Sequence, residues 1–169
     1  MPVLSTMGLK KIWVTESKGN DTMPANGPAW LDFGDVYKGT CTLTDTDGTE
    51  TKHESETSSK VINLYETGET TVALSLMDPD LELLSRYFGG TITGAAGARK
   101  WIRPKKLPYK EYAVWQQPEE GLLMGCPNCR IIPKFEITYS ATGICIVPIT
   151  IKYQAELHAD EENVDPSKA

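Results

Sequence analysis

ETTVALSLMDPDLELLSRYFGG, residues 69–90, carries the chain from a buried strand straight into a capped helix, and the rest of the sequence is arranged around it. Val72, Leu74 and Leu76 alternate with Thr71, Ala73 and Ser75, the period-2 pattern of a strand with one strongly apolar face. A helix is predicted over Asp78 to Phe88. Asp78 is placed as the N-cap, and Pro79 at the first helical position, where its missing N–H costs nothing. Asp80 and Glu82 put negative charge at the positive end of the helix dipole. Leu81, Leu84 and Phe88 form an apolar stripe that Leu83 and Tyr87 widen. Gly89 supplies the left-handed residue that stops it. It is the one helix the sequence supports.

Around this unit the sequence is extended. Leu9 to Glu16 alternates, with Ile12 and Val14 on one side. Ser17 to Ala29 is rich in Gly, Pro and Asn and reads as a loop. Trp30 to Asp45 is extended again, with Tyr37, Cys41 and Leu43 on a shared face, up to the DTDG turn signal at Asp45 to Gly48. Thr49 to Lys60 is polar on both faces and Thr-rich. Such a segment forms a projecting hairpin or stays disordered until a partner orders it. Val61 to Glu66 is expected to resume the sheet. After a glycine-rich break at Gly89 to Ala98, Tyr112 and Val114 alternate with Ala113 and Trp115. In the longest strand, Cys145, Val147, Ile149, Ile151 and Tyr153 line one face while Thr150, Lys152 and Gln154 point away.

About eight strands and one helix imply a mainly β fold, an antiparallel β-sandwich or small barrel with the helix packed against it. Residues 1–157 form its single domain, with a projecting polar loop at 45–60, and residues 158–169 are expected as an acidic, disordered tail. A chain of 169 residues suits one domain. Lys134, Lys152, Pro133 and Pro148 offer modest protection to strand edges, so pairing of edges between subunits is the alternative.

The net charge of −6 is concentrated. Asp45 to Lys60 and Glu156 to Ala169 together carry −7, which leaves the body near neutral and argues against a surface that grips phosphates broadly. No apolar run reaches the roughly 18 residues of a membrane span, and the N-terminus lacks an apolar signal core. The four irregularly spaced cysteines suit a reducing cytoplasm.

DFGDVYKGTCTLTDTDGTETKHESE and GETTVALSLMDPDLELLSRYFGGTIT resemble the major tail tube proteins of long-tailed, double-stranded DNA bacteriophages. In those chains an early strand pair leads to a long polar loop, a strand enters the helix and a Gly-rich turn follows. The resemblance covers Trp30 to Thr93 closely and the remainder loosely. It implies a β-sandwich that closes into hexameric rings stacked into a tube, with DNA passing the bore without specific binding. Its partners are then further copies and other tail proteins, with no membrane involved. Its place is the virion tail, after synthesis in the bacterial host cytoplasm. The type VI secretion tube protein is similar in fold, so a contractile injection system tube is an alternative reading.

Chemical motifs are sparse. Cys126-Pro-Asn-Cys129 has the spacing of half a zinc knuckle or a redox pair, but no second CxxC or His pair completes four ligands. It is read as a tight turn between strands, with Cys41 and Cys145 able to join only if the fold gathers them. Gly94 to Lys100 fails the phosphate-loop pattern. His53 and His158 lack nucleophile partners, and the Glu119-Glu120 pair sits in a turn composition. No catalytic, cofactor or metal residue is assigned, and no cofactor is expected. A small ligand-binding barrel and a zinc module are the remaining alternatives.

The basic cluster Arg99, Lys100, Arg103, Lys105 and Lys106, with Trp101 inside it, suits either phosphates or an acidic protein surface. Because the chain carries acidic arms, subunit contact is favoured. The candidate interface residues are these five together with Asp45, Asp47, Glu50, Lys52, Glu54 and Glu56.

Overall fold

A computed structural model describes residues 6–168, so the first five residues of the expected domain and the last of the expected tail lie outside the described residues. In chain order the elements are β1 (Lys11–Glu16), β2 (Leu31–Asp32), β3 (Thr42–Asp45), β4 (Thr49–Glu54), β5 (Val61–Glu66), β6 (Thr70–Met77), α1 (Leu81–Phe88), β7 (Thr91–Thr93), β8 (Lys100–Ile102), β9 (Tyr112–Gln117), β10 (Leu123–Pro133), β11 (Glu136–Ile137), β12 (Cys145–Tyr153) and β13 (His158–Asp160). The fold is mainly β with a single helix among the described residues, as the sequence implies.

Nine strands form one antiparallel sheet whose main path runs β2-β1-β9-β10-β12-β6-β3, with β11 on β12 and β13 on β10. Residues 31–37 join the two ends of this path. Leu31 pairs with Val14, and the Phe33 N–H donates to the Ile12 carbonyl at 2.9 Å. A few residues on, Val36 bridges Leu76, the Tyr37 N–H donates to the Ser75 carbonyl and the Met77 N–H to the Asp35 carbonyl, both at 2.8 Å. The sheet therefore curls into a small barrel.

Its interior is filled by the alternating residues of the sequence pattern: Ile12 and Val14, Val72, Leu74 and Leu76, Tyr112 and Val114, and Val147, Ile149 and Ile151 are all buried. Removing such side chains from water at about 25 cal/mol per Å² is the main favourable contribution to the fold. Pro148 is tolerated in central β12 because it falls between the β10 and β11 ladders. There its carbonyl accepts from the Lys134 N–H at 3.0 Å, and no partner needs its missing N–H.

The other face of β1, β9 and β10 is apolar too. Trp13, Ala113, Trp115 and Leu123 pack beneath Trp30 and Met23. The loop Ser17 to Ala29 is thus a cover, with Trp30 Nε1 donating to the Ala25 carbonyl at 3.1 Å and Trp13 Nε1 to Gln117 Oε1 at 3.0 Å.

Four local expectations are corrected. Asp78 is not the N-cap: it adopts a left-handed φ of 45°, and the helix begins later, at Leu81. Asp80 caps it, its Oδ1 accepting from the Leu83 N–H at 2.9 Å, so Pro79 precedes the helix. Both aspartates suit a cap by type, and the Cys145 carbonyl decides between them by holding the Asp78 N–H on β12. Val61 to Glu66 does not resume the sheet; it pairs only with β4. The Cys126–Cys129 stretch is not a turn but the middle of β10. Finally, the segment expected as a disordered tail opens with β13, paired with β10, and Gly27 donates to the Pro166 carbonyl at 2.9 Å. Its charges face water while its backbone is bound.

Candidate assembly surface

The β4–β5 hairpin is the projecting element. Thr49 to Glu54 pairs residue for residue with Glu66 to Val61, and the tip runs from Ser55 to Lys60. Among the described residues neither strand contacts another strand or the helix, and all twelve residues of the pair are exposed. Period-2 alternation puts Glu50, Lys52 and Glu54 on one face, opposite Tyr65, Asn63 and Val61. Thr51 and His53 face Leu64 and Ile62 on the other. Val61, Ile62, Leu64 and Tyr65 therefore stand in water, Tyr65 at 68% exposure.

The base of the hairpin is tightly joined to the barrel. The Thr46 N–H donates to the Glu69 carbonyl at 2.8 Å, and the Glu69 N–H returns a bond to Thr46 Oγ1 at 2.7 Å. A side chain at Gly68 would sit 1.9 Å from the Thr46 carbonyl oxygen, and one at Gly48 2.1 Å from that of Glu66, so only glycine allows this approach. Asp45, at the end of β3, accepts from Thr70 Oγ1 at 2.5 Å. Asp47 lies in the turn and Glu56 at the tip, while Lys52 pairs with Glu54 at 2.9 Å.

The helix end holds the basic cluster. Phe88 stacks on Phe135 at 4.5 Å between centroids, and Trp101 packs on both, its Nε1 donating to the Gly89 carbonyl at 2.9 Å. Arg103 lies over the rings of Phe88 and Phe135, at 4.8 and 5.6 Å, and Arg99 pairs with Glu82 at 3.5 Å. These two arginines serve the fold as well as the surface. Lys100, Lys105 and Lys106 have no ion pair among the described residues. The acidic hairpin residues and the basic cluster, grouped together by sequence, do not meet within one chain.

Sequence reasoning missed the apolar residues of β5 as surface. A signal was available: TETKHE and VINLYE have equal length and flank a Ser-rich link, the pattern of a hairpin closed on itself.

Two further features have chemical potential. An open groove of about 1280 Å³ is lined by residues of the Met7–Lys11 segment and of Val36 to Leu43, together with Gln116 and Met124. Cys126 and Cys129 are both fully buried. Among the described residues no three His, Cys, Asp or Glu side chains gather as a metal site, so Cys41 and Cys145 do not complete one with this pair.

No family model and no curated protein sequence matches the chain. Among solved structures it is similar to a chain of the PVC sheath–tube complex, an extracellular contractile injection system in its extended state, at 10% identity and a TM-score of 0.45 over 92% of each chain. It is also similar to the tube-terminating cap of the anti-feeding prophage, at 12% identity and a TM-score of 0.47 over 96% of this chain and 95% of that one. A third likeness, to the PVC sheath/tube terminator in the extended state, has 10% identity and a TM-score of 0.43 over 94% and 99%.

Proposed function

We propose that this chain is a non-enzymatic structural subunit that self-assembles into rings and stacks them into a tail tube. The observation that carries the reading is the free-standing β4–β5 hairpin. An isolated two-stranded hairpin is marginal in water, yet this one exposes Val61, Ile62, Leu64 and Tyr65 without a covering element among the described residues. A second copy supplies the cover. Six residues per strand give a ribbon about 20 Å long, with two faces on the order of 400 Å² together. A stable interface needs about 800 Å² per partner, so barrel surface must contribute as well.

Lys100, Lys105 and Lys106 are the cationic groups free to meet Asp45, Asp47, Glu50, Glu54 and Glu56 of a neighbour. A head-to-tail contact of this kind closes into a ring or continues as a tube. The resemblance over Trp30 to Thr93 favours a phage or prophage tail tube, with hexameric rings, other tail proteins as partners and DNA passing a bore that does not bind it. Its site is then the virion tail, after synthesis in the host cytoplasm. A contractile injection system tube shares the architecture.

Negative-stain electron microscopy of concentrated protein tests this directly. Wild type should form rings or tubes. Replacing Thr49–Glu66 with a short Gly-Ser turn should leave a folded, soluble subunit that forms none. Lys100→Glu, Lys105→Glu and Lys106→Glu together should weaken assembly, and added salt should narrow the gap from wild type. Normal tubes without the hairpin, or a monomer at every concentration, would overturn the proposal.

A further inference from the structure

The CPNC motif is not absorbed by assembly, and its geometry is unusual for a strand. Residues three apart on a regular strand point to opposite faces. Here Cys126 pairs with Val114 and Cys129 with Tyr112, so three steps on β10 match two on β9. The extra residue is a bulge, and it turns both thiols into the same core. Two regular strand steps span roughly 6.6 Å, already inside the range of Cα separations, up to about 6.8 Å, that a disulfide bridges.

Both thiols are engaged with nearby backbone carbonyls, Cys129 with that of Cys126 itself. Cys129 Sγ donates to the Cys126 carbonyl at 3.6 Å, and Cys126 Sγ donates to the carbonyls of Asn128 at 3.2 Å and Ala155 at 3.4 Å. Pro127 is buried, its carbonyl held by Ser17 Oγ at 2.9 Å. The cover is the irregular link between β12 and β13, where the Gln154 N–H donates to the Asn128 carbonyl at 2.8 Å.

We infer that Cys126 and Cys129 are a reversible dithiol–disulfide pair inside the barrel wall, a modification site closed by a peroxide. The Cys126 thiolate attacks a peroxide oxygen, the O–O bond breaks and water leaves, giving a sulfenic acid at Cys126. Cys129 sulfur then attacks Cys126 sulfur, the S–O bond breaks and a second water leaves. One hydrogen peroxide is reduced to two waters as two thiols become one disulfide. The chemistry fits the electrostatics. The hydrogen bond from the Cys129 thiol holds Cys126 down at about 7 against the effect of burial. Burial keeps Cys129 protonated until it attacks. Other ionisable groups facing the pair are Tyr153 from β12, Tyr112 from β9 and, beyond them, Cys41. Burial both slows access of the oxidant and protects the product.

The test uses the full chain, purified reduced and kept folded, whether or not it assembles. After exposure to hydrogen peroxide it is unfolded, alkylated and analysed by intact mass and peptide mapping. The expected result is loss of two of the four alkylatable thiols, with the disulfide mapped to Cys126 and Cys129. Dithiothreitol should restore all four, and the rate should rise as pH passes about 7. Cys41→Ala with Cys145→Ala should behave like wild type. Cys129→Ser should instead leave a sulfenic acid on Cys126 that dimedone traps. A disulfide that forms only in urea, one that maps to Cys41 or Cys145, or one zinc per chain retained by the pair would overturn the inference.

Discussion

The barrel and the β4–β5 hairpin draw on the same strand-forming residues and end in opposite environments. In the barrel, Val72, Leu74 and Leu76 of β6 lie between strands on both sides and are buried at 0%, 3% and 1% exposure. In the hairpin, Val61, Ile62 and Leu64 pair only with β4 and are 45–53% exposed. The first set is stabilised within the chain, whereas the second stays available to another molecule. Two regions of similar local propensity thus end in different environments, and under the proposed assembly they divide the labour of folding and association.

Four substitutions separate these roles further. Phe88→Ala should have the largest effect, because Phe88 is 2% exposed and stacks on Phe135 beneath Arg103. A loss of about 3–5 kcal/mol in unfolding free energy is expected from urea denaturation, with the helix loosened from the barrel. A change below about 1 kcal/mol would mean that the helix end is not packed as described. Asp80→Ala should cost about 1 kcal/mol by removing the side-chain bond to the Leu83 N–H. Asp78→Gly should cost less or stabilise, since its left-handed φ of 45° suits glycine. Equal losses at both positions would erase the distinction between the two aspartates. Leu64→Ser should be smallest, within about 0.5 kcal/mol for the isolated subunit. The same variant should raise the concentration needed for rings in light scattering. A strongly destabilised monomer would show instead that the hairpin belongs to the core.

Much of the barrel follows from short-range pattern. Alternation in β6, β9 and β12 determines which side chains enter the core, because a strand with the wrong register would put every apolar residue in water. The glycine stop at Gly89, with its φ of 78°, is equally local. The candidate interface was legible only as charge: its acidic and basic residues were visible, while the apolar residues of β5 were assigned to the barrel.

What tertiary structure alone decided is what each segment meets. Val61 to Glu66 and Thr70 to Met77 both satisfy the rules for a strand. The clamp of Thr46 on Glu69, with the close approach at Gly68, separates them, the first projecting outward and the second lying in the barrel. Two neighbouring aspartates could each cap the helix, until the Cys145 carbonyl takes the Asp78 N–H. The acidic C-terminal residues look unbound because their side chains are polar, but their backbone is held by β10 and Gly27. Nor does a spacing of three reveal that Cys126 and Cys129 share one face, since that depends on β9 contributing two residues where β10 contributes three. Periodicity specifies which face of a strand is apolar; hydrogen bonds between residues far apart in sequence determine which surface that face is pressed against.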